Sequence, residues 1–276
     1  MSGAELRLLT ALALAAILMV PCGYAWCRRS NDTVPATAGY RMSGMDLFMG
    51  MILYVLLALM MLGAKWWSQF HPQAEAGTGM PPSASVIFLN FAVMQGMQLG
   101  VVWAWFHVRQ TRLTEVFGLL RLSATQVVRV AAVCIVPAGV VAMLALVLTI
   151  YGLRWLDWPM EAQEAVSLLM GADDFSVQMA LAVGACLGAP VVEEVLFRGV
   201  IYGSLRELTN RWFAAIVSAL LFGVIHLHLP SLPALCLLGF FFAMAYEITG
   251  SLAVPIVMHA LFNAIQVILA IFHAAP

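Results

Sequence analysis

Residues 176–206 read SVQMALAVGACLGAPVVEEVLFRGVIYGSLR, and this stretch decides the fold. It is apolar almost throughout and long enough to cross a bilayer, which takes about 20 residues of α-helix. It shows no period-2 alternation, so a membrane helix is expected and not a barrel strand. Yet it holds Glu193, Glu194 and Arg198 between flanks, 179–190 and 199–205, that carry no charge. A charge at mid-membrane costs about 2.5–3.5 kcal/mol on insertion scales, so these three side chains must have partners.

The rest of the chain has the same character. Hydrophobic residues make up 63% of the 276 positions, charged residues only 10%, and the mean hydropathy is +0.95; a soluble domain carries about a quarter charged residues. Runs of spanning length occur at about 6–26, 46–64, 85–106, 129–150, 176–206, 212–229, 231–248 and 251–273. The expected fold is therefore an all-α, polytopic transmembrane bundle of about eight helices, multi-pass in the cell membrane. A net charge of −1 offers no basic footprint, which excludes nucleic acid as a partner and leaves membrane lipid. Cys22, Cys27, Cys134, Cys186 and Cys236 are odd in number and sit mostly in apolar runs, as small buried hydrophobes and not as a disulfide framework. Nothing has the spacing of a structural zinc site.

The first run is read as a retained helix. Its 8–20 core followed by Gly-Tyr-Ala at 23–25 has the outline of a signal peptide, but Arg7 is offset by Glu5, and Arg28 and Arg29 follow the run. Pro21 before Cys22 argues against a lipoprotein site. Arg28, Arg29 and Arg41 share one loop, Arg109, Arg112, Arg121 and Arg129 another, and Arg206 and Arg211 a third. In an eight-helix count all three lie on one side, the cytoplasmic one by the positive-inside rule. The acidic 151–175 loop falls on the other. Segment 107–128 mixes basic and apolar residues, so an amphipathic interfacial helix is expected there.

The chain divides near residue 172, with accessory helices over 1–172 and a polar core over 173–276. Asn90, Gln95 and Gln98 in the first part read as interhelical hydrogen-bond groups. In the second part, residues 193–198 read EEVLFR, 222–226 read FGVIH, and 259–263 read HALFN. Adjacent helical residues point about 100° apart and residues four apart share a face, so Glu194 can pair with Arg198 while Glu193 points elsewhere. Phe222 and His226 share one face, and His259 and Asn263 another. One free carboxylate, two imidazoles and an amide converging between three helices form the minimum kit for water-mediated amide hydrolysis.

Counted from Arg206 and Trp212, Glu193 and His226 lie about 20 and 21 Å deep, but His259 lies only about 12 Å from Ser251. Its helix must therefore begin earlier or be displaced. Gly184 with Gly188, and Gly199 with Gly203, give small faces for close packing. Pro190 can bend the helix and free a backbone carbonyl near the site.

These motifs resemble the EExxxR, FxxxH and HxxxN motifs of the CPBP family, intramembrane proteases that include the CAAX prenyl endopeptidases and the bacterial Abi proteins. The resemblance covers about residues 173–273. It implies an eight-helix all-α fold and cleavage of a peptide or membrane-protein substrate in or at the edge of the membrane. By position, Glu193 resembles the water-activating glutamate, Glu194 and Arg198 its supporting ion pair, and His226 the first catalytic histidine. His259 and Asn263 resemble the oxyanion-stabilising pair. Glutamate-dependent chemistry without metal or other cofactor is the favoured form, with a zinc-dependent version as the alternative.

Two other classes compete: a secondary transporter with a buried Glu/His/Arg ion path, and a non-catalytic scaffold. The transporter would show inverted repeats, whereas the polar residues fall in one half. His71, His107, His228 and His273 are expected near water or headgroups, Glu247 as solvated. Trp66, Trp67, Trp103, Trp105, Trp155 and Trp158 are expected as an interfacial belt.

Overall fold

The computed structural model describes residues 40–70, 83–160, 163–172 and 174–274, with positions 7 and 11 in isolation. Among these the chain is helical and without strand. In order come α1 (Gly44–Phe70), α2 (Ala84–Val108), the single turn α3 (Leu113–Val116), α4 (Ala124–Trp155) and α5 (Glu164–Met170). They are followed by α6 (Phe175–Leu208), α7 (Arg211–Ile225), α8 (Leu232–Thr249) and α9 (Ala253–Ala274). Helices α1, α2, α4, α6, α8 and α9 are long and apolar enough to cross a membrane. The protein is an all-α, multi-pass membrane protein. The described residues thus give 6 candidate spans against an expected eight. Apart from positions 7 and 11, the run at 6–26 lies outside them, as do Cys22, Cys27, Arg28, Arg29 and His71.

The remaining expected span, 212–229, is the 15-residue α7. It stops at Ile225 because Leu227 adopts a left-handed backbone, φ 48°, which no α-helix continues. Its start is fixed by Asn210, whose Oδ1 accepts from the amides of Trp212 and Phe213 at 3.1 and 3.0 Å. Helix α4 begins with a reciprocal Ser123/Gln126 capping box, and α8 ends on Gly250 at φ 61°.

The arginine-bearing loops gather at one end of the bundle. Arg41 lies 4.0 Å from Glu207, Arg109 2.8 Å from Asp46, and Arg206 3.1 Å from Glu247. Segment 109–123 is not an amphipathic helix. After the single turn α3 it folds inward, with Phe117 buried against Gly199 and its carbonyl accepting from the Leu252 amide at 3.0 Å. Gly118 and Gly250 both take φ 61°, and a Cβ on Gly118 would strike the Gly250 carbonyl. This contact pulls Ser251 and Leu252 to 0% exposure. Helix α9 therefore starts inside the bundle, which accounts for the short depth count to His259. At the opposite end, Lys65 Nζ donates to the Leu227 carbonyl at 3.2 Å.

The apolar core lies around the C-terminal half of α6. Leu196, Phe197, Ile201 and Leu205 pack on Tyr54 of α1 and on Ala214, Leu221 and Phe222 of α7. A second cluster joins α4, α8 and α9 through Ala131, Ala138, Leu238, Phe242, Val254 and Met258.

Candidate active site

Helix α6 is α-helical with two π-helical segments, Gly184–Gly188 and Val195–Tyr202, that flank Ala189–Glu194. Their origin is partly legible. In π register the carbonyl of Ala185 would bond the amide of residue 190, but Pro190 has none. The Asn263 side chain takes that carbonyl, donating through Nδ2 at 2.7 Å. In the second segment, Ser218 Oγ donates to the Phe197 carbonyl at 2.9 Å. A side chain of α9 thus takes the carbonyl that Pro190 leaves open, and one of α7 adds a bond to a carbonyl of the second π segment.

Glu194 and Arg198 are both fully buried and paired at 2.8 Å. Arg198 Nη2 also donates to the Gly239 carbonyl at 3.1 Å, and its guanidinium lies 4.3 Å over the Phe222 ring. Gly239 permits this approach, since a Cβ there would sit 3.0 Å from Nη2. The same Glu194 oxygen that holds Arg198 faces His259 Nδ1 at 3.0 Å. Glu194 is a bridge, neutralising a buried arginine and orienting an imidazole.

Glu193 points away from that pair. Its Oε2 lies 3.9 Å from Nε2 of both His226 and His259 and has no hydrogen-bond partner among the described residues. Its side chain is 25% exposed, against 0% for Glu194. The two rings have assignable faces. His226 caps α7, and its Nδ1 sits 2.8 Å from the Phe222 carbonyl, a pure acceptor, so Nδ1 carries the hydrogen and Nε2 faces Glu193. His259 likewise turns Nδ1 to a carboxylate and Nε2 to Glu193. Phe222 lies edge-on to both imidazoles, at 5.0 and 5.6 Å, and Phe242 of α8 stacks on His259 at 5.3 Å and 29°.

The structure thus brings Glu193, Glu194, Arg198, His226 and His259 into one cluster. Asn263 lies on the same face of α9, one turn beyond His259, with its amide on Ala185. Sequence reasoning missed Phe242, Ser218 and Gly239, which belong to no motif. Among the described residues no three His, Cys, Asp or Glu side chains are grouped so as to hold a metal ion.

Two further expectations need correction. Glu247 is not solvated: it is 17% exposed, takes Tyr202 OH at 2.6 Å and pairs with Arg206. Trp105 is not a belt residue, since its Nε1 donates to Asp46 at 2.7 Å. Asp46, fully buried, also receives the Ser43 amide and hydroxyl at 2.7 Å, Tyr40 OH at 3.2 Å and Arg109 Nη1 at 2.8 Å. The bond to Tyr40 and the charge of Asp46 hold the Arg109 guanidinium above its ordinary range, so it stays charged. Trp66, Trp67, Trp103 and Trp155 are exposed, and Trp103 stacks on His107 at 4.8 Å.

The family-model match falls on the part of the chain that builds this cluster. Residues 175–265 match the model of the family described as type II CAAX prenyl endopeptidase, Rce1-like. The matched third of the chain resembles that family. The chain is 37% identical over 94 residues to the Bacillus subtilis (strain 168) protein named "Putative membrane peptidase YdiL". It is 40% identical over 85 residues to the "Membrane-embedded CAAX protease MroQ" of Staphylococcus aureus (strain USA300). These alignments take in 34% and 29% of this chain, and 38% and 34% of the respective relatives, so the chain spans about a third of each. No solved structure matches the chain significantly. The stretch matched by the family model contains Glu193, Glu194, Arg198, His226, His259 and Asn263.

Proposed function

We propose that the protein is an intramembrane endopeptidase that hydrolyses a peptide bond near the membrane surface with a water activated by Glu193. The observation that carries this reading is the unpartnered Glu193 oxygen set 3.9 Å from two imidazole nitrogens. A water about 2.8 Å from the carboxylate and from one Nε2 fits that separation, at a near-right angle between the two bonds. Glu193 takes one proton as the water oxygen attacks the scissile carbonyl carbon. The C–N bond then breaks, and that proton passes to the leaving amine directly or through His226.

His226 suits the water-orienting role, because Nδ1–H is fixed on the Phe222 carbonyl and the neutral ring offers a lone pair at Nε2. His259 suits the oxyanion side: when it carries a proton at Nε2, the adjacent Glu194 carboxylate balances the charge. Asn263 keeps a second N–H beyond the one bound to Ala185. In this reading residues 173–276 form the catalytic core and 1–172 the accessory helices. The substrate is a membrane-associated peptide or protein, either a CAAX-type tail, as the family description suggests, or a leader peptide.

Purified protein in lipid should cleave a labelled peptide of one of these classes, and Glu193→Gln should abolish turnover without altering the circular dichroism spectrum. Undiminished cleavage by Glu193→Gln would sink the proposal. Chelator treatment before the assay separates the zinc-dependent version, which would lose activity and recover it on adding metal.

A further inference from the structure

We infer that Phe242 is a positioning residue for His259: its ring fixes the plane of the imidazole and offers a π face to the charge that the imidazole takes up during the reaction. The inference rests on the hydrolytic reading of the site. It gives a part in that chemistry to a residue of α8, a helix that carries none of the three motifs.

Four contacts close a circuit. Arg198 Nη1 donates to Glu194 Oε1 at 2.8 Å, and the same oxygen holds His259 Nδ1 at 3.0 Å. The Arg198 guanidinium lies 5.2 Å from the centre of the Phe242 ring, and that ring stacks on the imidazole of His259 at 5.3 Å and 29°. Glu194, Arg198 and Phe242 are fully buried and His259 is 4% exposed, so the circuit is rigidly enclosed. Within it the carboxylate fixes one atom of the imidazole. A hydrogen bond at Nδ1 sets where that nitrogen sits, but the ring can still tilt about it, and Nε2, the atom turned to Glu193, moves with the tilt. Phe222 meets the rings of His226 and His259 edge-on and is shared between them. The parallel contact, which sets a plane, comes from Phe242.

The packing of α8 explains how Phe242 arrives there. Ala219 and Gly223, one turn apart on α7, face Gly239 and Cys236 of α8. A Cβ on Gly223 would strike Cys236 Sγ, and one on Gly239 would sit 3.1 Å from the Ala219 Cα. These small residues let α8 press against α7, and Phe242, three residues beyond Gly239, shares its face of the helix. Phe242 also belongs to the apolar cluster of Ala131, Ala138, Val254 and Met258, which holds its own ring in place.

The second contribution is electrostatic. On the oxyanion side His259 acts with a proton on Nε2 and is then a cation. The face of a phenyl ring is the negative part of its quadrupole and attracts a cation within about 6 Å. Glu194 neutralises that charge from the Nδ1 end, while Phe242 meets it across the ring.

The test replaces Phe242, in the full-length protein in lipid, by mono-, di- and trifluorophenylalanine, which nearly keep the shape of the ring and drain its negative face in steps. The expected result is a stepwise fall in kcat, to about a tenth of wild type at the trifluoro ring, with KM and melting temperature held. Phe242→Leu removes plane and face together and should lower kcat per folded molecule by about a hundredfold. In spectra of protein carrying isotope-labelled histidine, the imidazole signals of His259 should broaden in Phe242→Leu while those of His226 stay as in wild type. An unchanged kcat along the fluorinated series, a change confined to KM, or His259 signals as narrow in Phe242→Leu as in wild type overturns the inference. Failure of the hydrolytic reading shows differently, as undiminished cleavage by Glu193→Gln, and the His259 spectra decide the positioning of the ring without any turnover.

Discussion

Two acidic side chains of this membrane protein are placed in opposite ways. Asp46 of α1 is fully enclosed, and its two oxygens receive donors from Ser43, Tyr40, Trp105 and Arg109, all within 3.2 Å. Glu193 of α6 is partly open, one oxygen has no hydrogen-bond partner among the described residues, and the nearest nitrogens stand off at 3.9 Å. A carboxylate with its lone pairs committed ties helices together and cannot take up a proton cheaply. One held near imidazole nitrogens but not bonded to them has capacity left for a water. In the proposed reading it is this spare capacity beside two imidazoles, and not burial, that separates Glu193 from Asp46.

Substitutions can break or sharpen this contrast. The largest effect is expected at Glu193. Glu193→Ala should lower peptide cleavage by about a thousandfold or more, as loss of a general base does, while the melting temperature stays near wild type. A stability loss at unchanged activity would place Glu193 with Asp46 instead. Next comes Arg198→Leu, which strands Glu194 in the core and should destabilise the fold by about 3–5 kcal/mol, read from denaturation in detergent. The double variant Glu194→Leu with Arg198→Leu should recover much of that stability but not activity, since His259 then lacks its anchor.

Asn263→Ala should reduce cleavage by about a hundredfold, in the range for one lost oxyanion donor, with kcat affected more than KM. The smallest effect on activity should come from Asp46→Asn. It keeps the shape but weakens the bonds from Arg109 and Trp105, and should cost about 1–3 kcal/mol in thermal unfolding with kcat per folded molecule unchanged.

The contrast also shows which features the sequence carries in readable form. Glu193, Glu194 and Arg198 were legible because helical spacing alone separates the first from the other two, and FGVIH and HALFN repeat the four-residue interval. Asp46 was overlooked because it opens an apolar run, where an acidic residue passes as helix-end decoration. Its signal was nevertheless present: Ser43-Gly-Met-Asp46 has the spacing of a capping box, and the Ser43 amide does bond Asp46 at 2.7 Å. Phe242 and Gly239 could not be found from pattern. They acquire meaning only when α8 packs across α6, one under His259 and the other against Arg198. The π segments were half legible, since Pro190 announced a freed carbonyl while the side chain that claims it lies 78 residues away.

The bond from Asn263 to the Ala185 carbonyl has a consequence for the phase of α6. Each π turn adds a residue to the helix and rotates all that follows by about 100°. Glu193 and Glu194 are separated by that same angle. If α6 slipped by one residue, Glu194 would move into the position of Glu193 before the histidines, and Glu193 into that of Val192. Asn263 and Ser218 act as detents on this rotation, one on each side of the glutamate pair.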